Sequence, residues 1–146
     1  MPFFLGDENV NYISGTDGKD AIAGGKGVDV LYGGGGSDAF VIRLSDMDPA
    51  LSSATSMTGK AQDFIYDFYG AGVYEAGNND FLYLDGFGAG STITFLSYGY
   101  NSSSPGGDIH AQFYSIHSTN TGLDYVIAIG SMNGNQLVLG DYNFYN

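Results

Sequence analysis

Residues 6–41 divide into four consecutive segments of nine residues, and this period limits the folds that the chain can adopt. The segments are GDENVNYIS (6–14), GTDGKDAIA (15–23), GGKGVDVLY (24–32) and GGGGSDAFV (33–41). Glycine stands first in all four segments, and the eighth residue is always apolar: Ile13, Ile22, Leu31 and Phe40. A period of this kind favours an architecture in which each repeat packs mainly against its neighbours.

The sixth position of each segment is polar: Asn11, Asp20, Asp29 and Asp38. The glycines that precede it would weaken a strand or helix by roughly 0.5–1 kcal/mol each relative to Ala. Glycine also permits positive φ angles and a close approach of the backbone to an ion. We therefore predict that the first six residues of each repeat form a tight turn, that the last three form a short strand, and that the eighth residue points inward.

The last three segments follow the pattern G-G-x-G-x-D-x-U-x, where U is apolar. This pattern resembles the calcium-binding nonapeptide of RTX (repeats-in-toxin) proteins. The resemblance implies a parallel β-roll in which two repeats complete one coil, so that turns two repeats apart stack. Calcium prefers about six to eight oxygen ligands, and two stacked turns, each with one Asp and its backbone carbonyls, can supply about six.

Two calcium sites are implied by the resemblance, through turn carbonyls and sixth-position side chains. The first site would use Thr16, Gly18 and Asp20 with Gly33, Gly35 and Asp38. The second would use Asp7, Asn9 and Asn11 with Gly24, Lys26 and Asp29. In the second site Asn11 supplies a neutral oxygen where the family has a carboxylate, so we expect weaker binding there. A third ion could lie between Gly25, Gly27, Asp29 and acids of the following segment.

The segment after the repeats resembles the end of the β-roll in serralysin-type metalloproteases and in the R-modules of alginate epimerases. The matching stretches are SDAFVIRLSD, DFIYDF and NNDFLYLDGF. Asp63 and Asp80 stand where the family has acids that close the last calcium site. The resemblance covers residues 6–88 and is most specific over residues 15–41.

Residues 89–146 predict further strands, because β-branched and aromatic stretches alternate with Gly, Ser and Asn clusters. The stretches are STITFLSY, DIHAQFYSI, DYVIAIG and NQLVLGDYNFY. The predicted fold is all-β: a parallel RTX β-roll of about two coils that continues into a capping antiparallel sheet or sandwich. Its parts are an apolar N-terminal segment (1–5), the repeats (6–41), a roll-closing segment (42–88) and the C-terminal strands (89–146).

Composition restricts the partners of the chain. Its formal net charge is −12, with only four Lys and Arg residues, and residues 61–146 contain neither. Nucleic acid is therefore a poor partner, whereas cations are good ones. Cysteine is absent, which excludes disulfides and thiolate chemistry. No apolar stretch approaches the ~20 residues of a membrane-spanning helix, and the start, MPFFLGDENV, lacks the basic region of a secretory signal peptide.

Other motif interpretations are weaker. GGGSDA (34–39) fits a dinucleotide-binding fingerprint, but the nine-residue period explains the same glycines. DENVN (7–11) begins like an EF-hand loop, but Tyr12 and Gly18 replace its required Gly and Glu.

Catalysis has little support in the sequence. The zinc motif H-E-x-x-H of the metalloproteases is missing, and the two histidines, His110 and His117, lie seven residues apart. Residues at that spacing face opposite sides of a regular strand. We therefore predict that the protein is not an enzyme.

The resemblance implies a calcium-binding protein of the bacterial cell surface or exterior, exported by type I secretion. The ending LGDYNFYN is similar to the tails that carry that secretion signal. One interpretation is a structural or matrix subunit that self-assembles into filaments or layers with calcium. The alternative is a non-catalytic module, binding extracellular polysaccharide, from a larger exported enzyme such as an alginate epimerase.

Overall fold

A computed structural model describes residues 2–101 and 104–145. This part of the chain forms strands joined by short turns and by a few short helices. In chain order the strands are β1 (Phe3–Leu5), β2 (Tyr12–Ser14), β3 (Ala21–Ala23), β4 (Asp29–Tyr32), β5 (Ala39–Arg43), β6 (Ala61–Phe68), β7 (Phe81–Asp85), β8 (Thr92–Asn101), β9 (Ser104–His117), β10 (Asp124–Ser131) and β11 (Tyr142–Tyr145). The protein is therefore all-β in class.

The strands form two sheets that are mainly parallel. The first sheet has the order β1-β3-β5-β7-β11, and all its neighbours run parallel. The second has the order β2-β4-β6-β10-β9-β8. Its first four strands are parallel, whereas β9 runs antiparallel to both β10 and β8. From β1 to β7, successive strands alternate between the two sheets.

The nine-residue period is visible in the strand register. Phe3 pairs with Ala21, and Ala21 pairs with Ala39, so each partner lies 18 residues further along the chain. Tyr12 and Val30 show the same offset in the second sheet. The last three residues of every repeat lie in a strand, as the sequence predicts, and a strand of one sheet thus recurs after two repeats.

The core lies between the two sheets. Ile22, Leu31 and Phe40, the eighth residues of three repeats, are fully buried, and Ile13 packs against the same cluster. The inward orientation predicted for the eighth position is therefore confirmed. Ile65 and Leu82 extend the cluster onto β6 and β7, so the segment after the repeats belongs to the same core.

Short helices fill the connection between β5 and β6. Two 3-10 helices span Leu44–Asp46 and Pro49–Ser53, and one helical turn, α1, spans Met57–Lys60. Asp48 and Ser56 cap the last two by accepting backbone N–H bonds from Ala50 and Gly59. Each cap joins residues only two or three positions apart. The connection contains no further strand before β6.

The C-terminal strands extend the two sheets. β10 joins the second sheet beside β6, and β11 joins the first sheet beside β7. The antiparallel strands β8 and β9 follow at the edge of the second sheet. The predicted strand NQLVLGDYNFY is only partly correct, because residues 139–141 form a 3-10 turn and the strand begins at Tyr142.

Within the described residues, the helices are too short and too polar to cross a membrane.

Candidate metal centre

Turns 18 residues apart stack directly on one another. The turn at 24–29 lies on the turn at 6–11, and the turn at 33–38 lies on the turn at 15–20. Gly25 has φ +83°, and a Cβ there would approach the carbonyl oxygen of Asp7 to 2.7 Å. Gly34 has the same φ, and its Cβ would approach the Thr16 carbonyl to 2.5 Å. A side chain at either position would be strained and would fill the space between the turns.

The acidic side chains form two columns, which we call the first and second ladder. The first ladder consists of Asn11, Asp29 and Asp63. The backbone N–H of Asn11 donates to Asp29 Oδ1 at 2.7 Å, and the N–H of Asp29 donates to Asp63 Oδ1 at 3.1 Å. The side chains of Asp29 and Asp63 are thus each held by the backbone of the residue one coil earlier.

The second ladder, Asp20, Asp38 and Asp80, has the same construction. The N–H of Asp20 donates to Asp38 Oδ1 at 2.9 Å, and the N–H of Asp38 donates to Asp80 Oδ1 at 2.8 Å. Asp80 also accepts the N–H of Tyr69 at 2.9 Å. All three carboxyl groups are buried, so the ladder places anionic groups inside the protein at a spacing of one coil.

Two carboxylate oxygens in these ladders lack hydrogen-bond partners. Asp29 Oδ2 and Asp38 Oδ2 are buried and accept no hydrogen bond from any residue that the structure describes. A Cβ on Gly24 or Gly33 would overlap Asp29 Oδ2 or Asp38 Oδ2, respectively. The glycines that open the third and fourth repeats therefore leave room beside an unpartnered oxygen. A buried acceptor without a partner is costly.

Backbone carbonyls point into the same spaces. A Cβ on Gly27 would meet the Asn9 carbonyl at 2.8 Å, and one on Gly36 would meet the Gly18 carbonyl at 2.7 Å. From the upper turns, the carbonyls of Gly24 and Gly33 lie against Gly6 and Gly15. The spaces between the turns are therefore lined by carbonyl and carboxylate oxygens, the ligands that calcium prefers.

Most of the predicted ligands are brought together in the predicted pairs of turns. Thr16, Gly18 and Asp20 face the turn that holds Gly33, Gly35 and Asp38. Asp7, Asn9 and Asn11 face the turn that holds Gly24, Lys26 and Asp29, where the Lys26 side chain is exposed. For the third proposed site, Asp29 lies next to Asp63, whereas the Cβ positions of Gly25 and Gly27 face the turn at 6–11.

Asp80 lies in a different place from the one expected. The resemblance suggested that Asp63 and Asp80 close one last site together. In the structure Asp63 continues the first ladder and Asp80 the second. The physical reason is that β6 follows β4 in one sheet, whereas β7 follows β5 in the other, so the two acids lie on opposite sides of the core.

Two further acids, Asp67 and Asp46, lie outside the predicted ligand sets; the sequence favoured a calcium or solvated-loop role for them over acid–base catalysis. Asp67 accepts the N–H groups of Gly33 and Gly34 at 2.7 and 2.9 Å and so holds the turn of the fourth repeat. Asp46 lies close enough to raise the pKa of both Asp29 and Asp63 by charge repulsion. Asp67 follows Asp63 by four residues, and this spacing places both on one face of a strand. The sequence therefore contained one indication that Asp67 acts beside Asp63.

Burial perturbs the titration of these acids. It raises the pKa of Asp29 and of Asp38 from 3.8 to about 6 and that of Asp80 to about 7, with repulsion from neighbouring carboxylates adding to the effect. Burial also holds the pKa of Asp63 well above its ordinary value. A cation between the turns would reverse this trend, because an opposite charge favours the ionised carboxylate.

The calcium-free protein should therefore be more stable in acid than at neutral pH. Acids with a raised folded-state pKa contribute stability that is present below about pH 4 and is lost as the pH rises through about 6 to 7. With saturating calcium the trend should reverse over the same interval, since the ions need ionised ligands. Melting temperatures measured by circular dichroism from pH 4 to 8, with chelator and with calcium, check both signs.

The two histidines lie in different surroundings. His117 Nδ1 lies 2.8 Å from Asp124 Oδ1 at an exposed position, whereas His110 lines a surface groove on the second sheet. Among residues 2–101 and 104–145, no three acidic or histidine side chains converge on one point. Sites that combine two carboxylates with backbone carbonyls do not require such a cluster.

A scan against protein-family models and a search of curated proteins each gave no match to this chain.

Proposed function

We propose that the protein is a calcium-binding RTX domain whose two sheets wind as a β-roll and whose folding depends on calcium. The observation that carries the proposal is the pair of buried, unpartnered oxygens, Asp29 Oδ2 and Asp38 Oδ2. They lie beside glycine turns lined by carbonyl oxygens. The donors are all hard oxygens, which suit calcium better than a transition metal.

In this proposal each ion would be held between two stacked turns. Asp38 and Asp20 would provide the carboxylates on one side of the roll, with the Thr16 and Gly18 carbonyls. Asp29 would do so on the other side, first with the neutral Asn11 and then with Asp63. The bound ion supplies positive charge to buried carboxylates, and the chain supplies the oxygens and fixes their spacing through the backbone bonds of the two ladders.

The proposal includes a role outside the cell. The free calcium concentration in cytosol is too low to fill weak sites, so the chain would remain unfolded until export. The tail that resembles a type I secretion signal forms β11 in the folded state. The role we propose is binding or structural rather than catalytic.

Calorimetric titration of chelator-treated protein with calcium tests the proposal. We expect at least about two ions per chain, in line with the two predicted sites, and much less heat from magnesium, which demands a smaller octahedral site. Titration of an unrelated acidic protein of similar net charge controls for diffuse binding. Absence of saturable calcium heat would overturn the proposal.

Self-assembly is the second part of the proposed role, and the exposed edge strands favour it. β1 and β2 are the outermost strands of the two sheets at the same end of the molecule. Phe3 and Leu5 on β1 are 52% and 60% exposed, and Tyr12 on β2 is 77% exposed. Edge strands usually carry charges or bulges that prevent pairing with another chain, and β1 and β2 contain no charged residue.

Replacing Leu5 with Lys should reduce assembly. The new charge would lie on an open strand edge and oppose strand addition from a second copy. Light scattering across a calcium titration should show growing particles for the unmodified protein and smaller ones for Leu5→Lys. Val73→Lys, at another exposed apolar position, is the matched control. A calcium-loaded protein that stays monomeric at high concentration contradicts the assembly role.

A further inference from the structure

The outer face of the second sheet carries an open groove of about 610 Å³, formed by β6, β10 and β9. The middle strand, β10, contributes the small residues Ala128 and Gly130. A Cβ on Gly130 would overlap the backbone oxygen of Tyr66, so the sheet geometry itself requires a residue without a side chain there. The groove is thus a depression along β10 between two strands with larger side chains.

Aromatic rings stand on both sides of this depression. Phe64 and Tyr66 on β6 lie on one side, with ring centroids 6.1 Å apart, and Phe113 on β9 lies on the other. Tyr32 on β4 continues the row, its ring centroid 5.4 Å from that of Tyr66. Tyr66 is 48% exposed. Tyr32 and Tyr66 thus form an exposed aromatic patch, with the half-buried Phe64 and Phe113 beside it. Exposed apolar patches of this kind are typical of binding sites.

The charge of the groove restricts its ligand. Among the lining residues whose side chains the structure describes, none is Lys, Arg, Asp or Glu, and the ionisable ones are His110 and Tyr66. Bases of nucleic acids also stack on aromatic rings, but their binding sites need a positively charged path for the phosphates. A chain with a net charge of −12 likewise repels anionic polysaccharides. The groove therefore suits an uncharged ligand.

The shape and the polar groups indicate a sugar chain. The volume lies within the range of about 300–1,000 Å³ typical of ligand pockets, which combine apolar walls with a few polar groups. A pyranose ring has an apolar C–H face, which packs on an aromatic ring, and hydroxyls at its rim. The Tyr66 hydroxyl, Thr58 and His110 lie around the groove and can hydrogen-bond such hydroxyls, as amphipathic aromatic side chains commonly do.

We propose that this groove binds an uncharged polysaccharide, with sugar rings stacked on Tyr66 and Phe113. The site contains none of the residues of the two acidic ladders. It therefore goes beyond calcium binding, and failure of one proposal would leave the other standing.

The test is affinity electrophoresis of calcium-loaded protein in native gels that contain dextran, laminarin, galactomannan or xyloglucan, with hyaluronan as an anionic comparison. We expect retardation by at least one neutral polymer and none by hyaluronan. Calorimetry with an oligosaccharide of the retarding polymer should then give an affinity that Tyr66→Ala and Phe113→Ala each weaken about tenfold. Tyr74→Ala, which removes an exposed tyrosine that does not line the groove, should leave the affinity unchanged.

Ala128→Gln is a second variant that controls for loss of binding by misfolding. It obstructs the floor of the groove while keeping every aromatic ring, and it too should weaken binding. Circular dichroism should confirm that each variant is folded. The proposal is overturned if no neutral polymer retards the protein, if hyaluronan binds as well, or if the groove variants bind as the parent does. A dimer that Tyr66→Ala converts to monomer would also overturn it, since the groove would then be an interface between copies.

Discussion

Removing calcium is expected to abolish most of the cooperative β structure. Without cations the four buried acids Asp29, Asp38, Asp63 and Asp80 must either ionise in apolar surroundings or take up protons, and burial has raised the pKa of each. Two sites, each with free calcium at about 100 times its dissociation constant, stabilise the folded state by about 2.7 kcal/mol per site. The sum is comparable to the lower end of a domain's total stability, about 5 kcal/mol.

Far-ultraviolet circular dichroism and thermal melts in chelator, followed by readdition of calcium, measure this effect. We expect the strand signal and the melting transition to be lost or strongly reduced in chelator and to return with calcium but not with an equal concentration of magnesium. The effect should be largest near neutral pH, where all four acids would have to ionise. An unchanged spectrum and melting temperature in chelator would show that the fold does not depend on the ion.

The part of the fold that sequence predicts well is the part set by local pattern. The glycines and the apolar eighth residues recur every nine positions, so the turns, the short strands and the inward side chains of Ile22, Leu31 and Phe40 follow from neighbouring residues alone. The pairing of turns 18 residues apart was implied by the RTX resemblance, in which two repeats complete one coil. The proximity of Asp20 to Asp38 and of Asn11 to Asp29 was therefore predictable.

The rest depends on contacts between distant segments. Asp67 acts on Gly33 and Gly34, which precede it by 34 and 33 residues, and no periodic pattern connects them. The assignment of Asp63 and Asp80 to separate ladders depends on which sheet β6 and β7 join. The connections that lead to these two strands, 44–60 and 69–80, carry no repeat.

The C-terminal region shows a second limit. Val138 and Leu139 have the composition of a strand, yet both are exposed and Leu139 begins a 3-10 turn. The carboxylate of Asp141 accepts the N–H groups of Val138 and Gly72, each at 2.8 Å, and so fixes the turn through a contact with the distant 69–80 connection. The order β6-β10-β9 in the second sheet, which creates the aromatic groove, is likewise a non-local property.

Replacing Asp38 with Asn should affect the calcium-bound and calcium-free proteins in opposite directions. Asn has nearly the shape of Asp and keeps an oxygen that can accept the N–H of Asp20. It removes the charge and the unpartnered oxygen Oδ2. In chelator the melting temperature should stay the same or rise, because a buried ionised group whose pKa burial has raised to about 6 is gone.

With saturating calcium the same variant should be less stable than the parent. Loss of one of two carboxylates in the best site should weaken calcium binding there by at least about tenfold, which corresponds to ~1.4 kcal/mol. At about 2–4 °C per kcal/mol for a chain of this size, the melting temperature in calcium should fall by several degrees. The matched control is Asp17→Asn, which removes an exposed carboxylate from the facing turn at 15–20 and should change neither melting temperature appreciably.

The two melting temperatures together separate a ligand from a structural cap. If Asp38→Asn lowers stability equally in chelator and in calcium, Asp38 contributes only its hydrogen bond to the backbone of Asp20, and the proposed site is wrong. If the variant binds calcium as the parent does, the stacked turns at 15–20 and 33–38 do not hold the ion. Unchanged or higher stability in chelator combined with a loss in calcium is the outcome that a carboxylate ligand between stacked glycine turns requires, because only an ion makes that buried charge favourable.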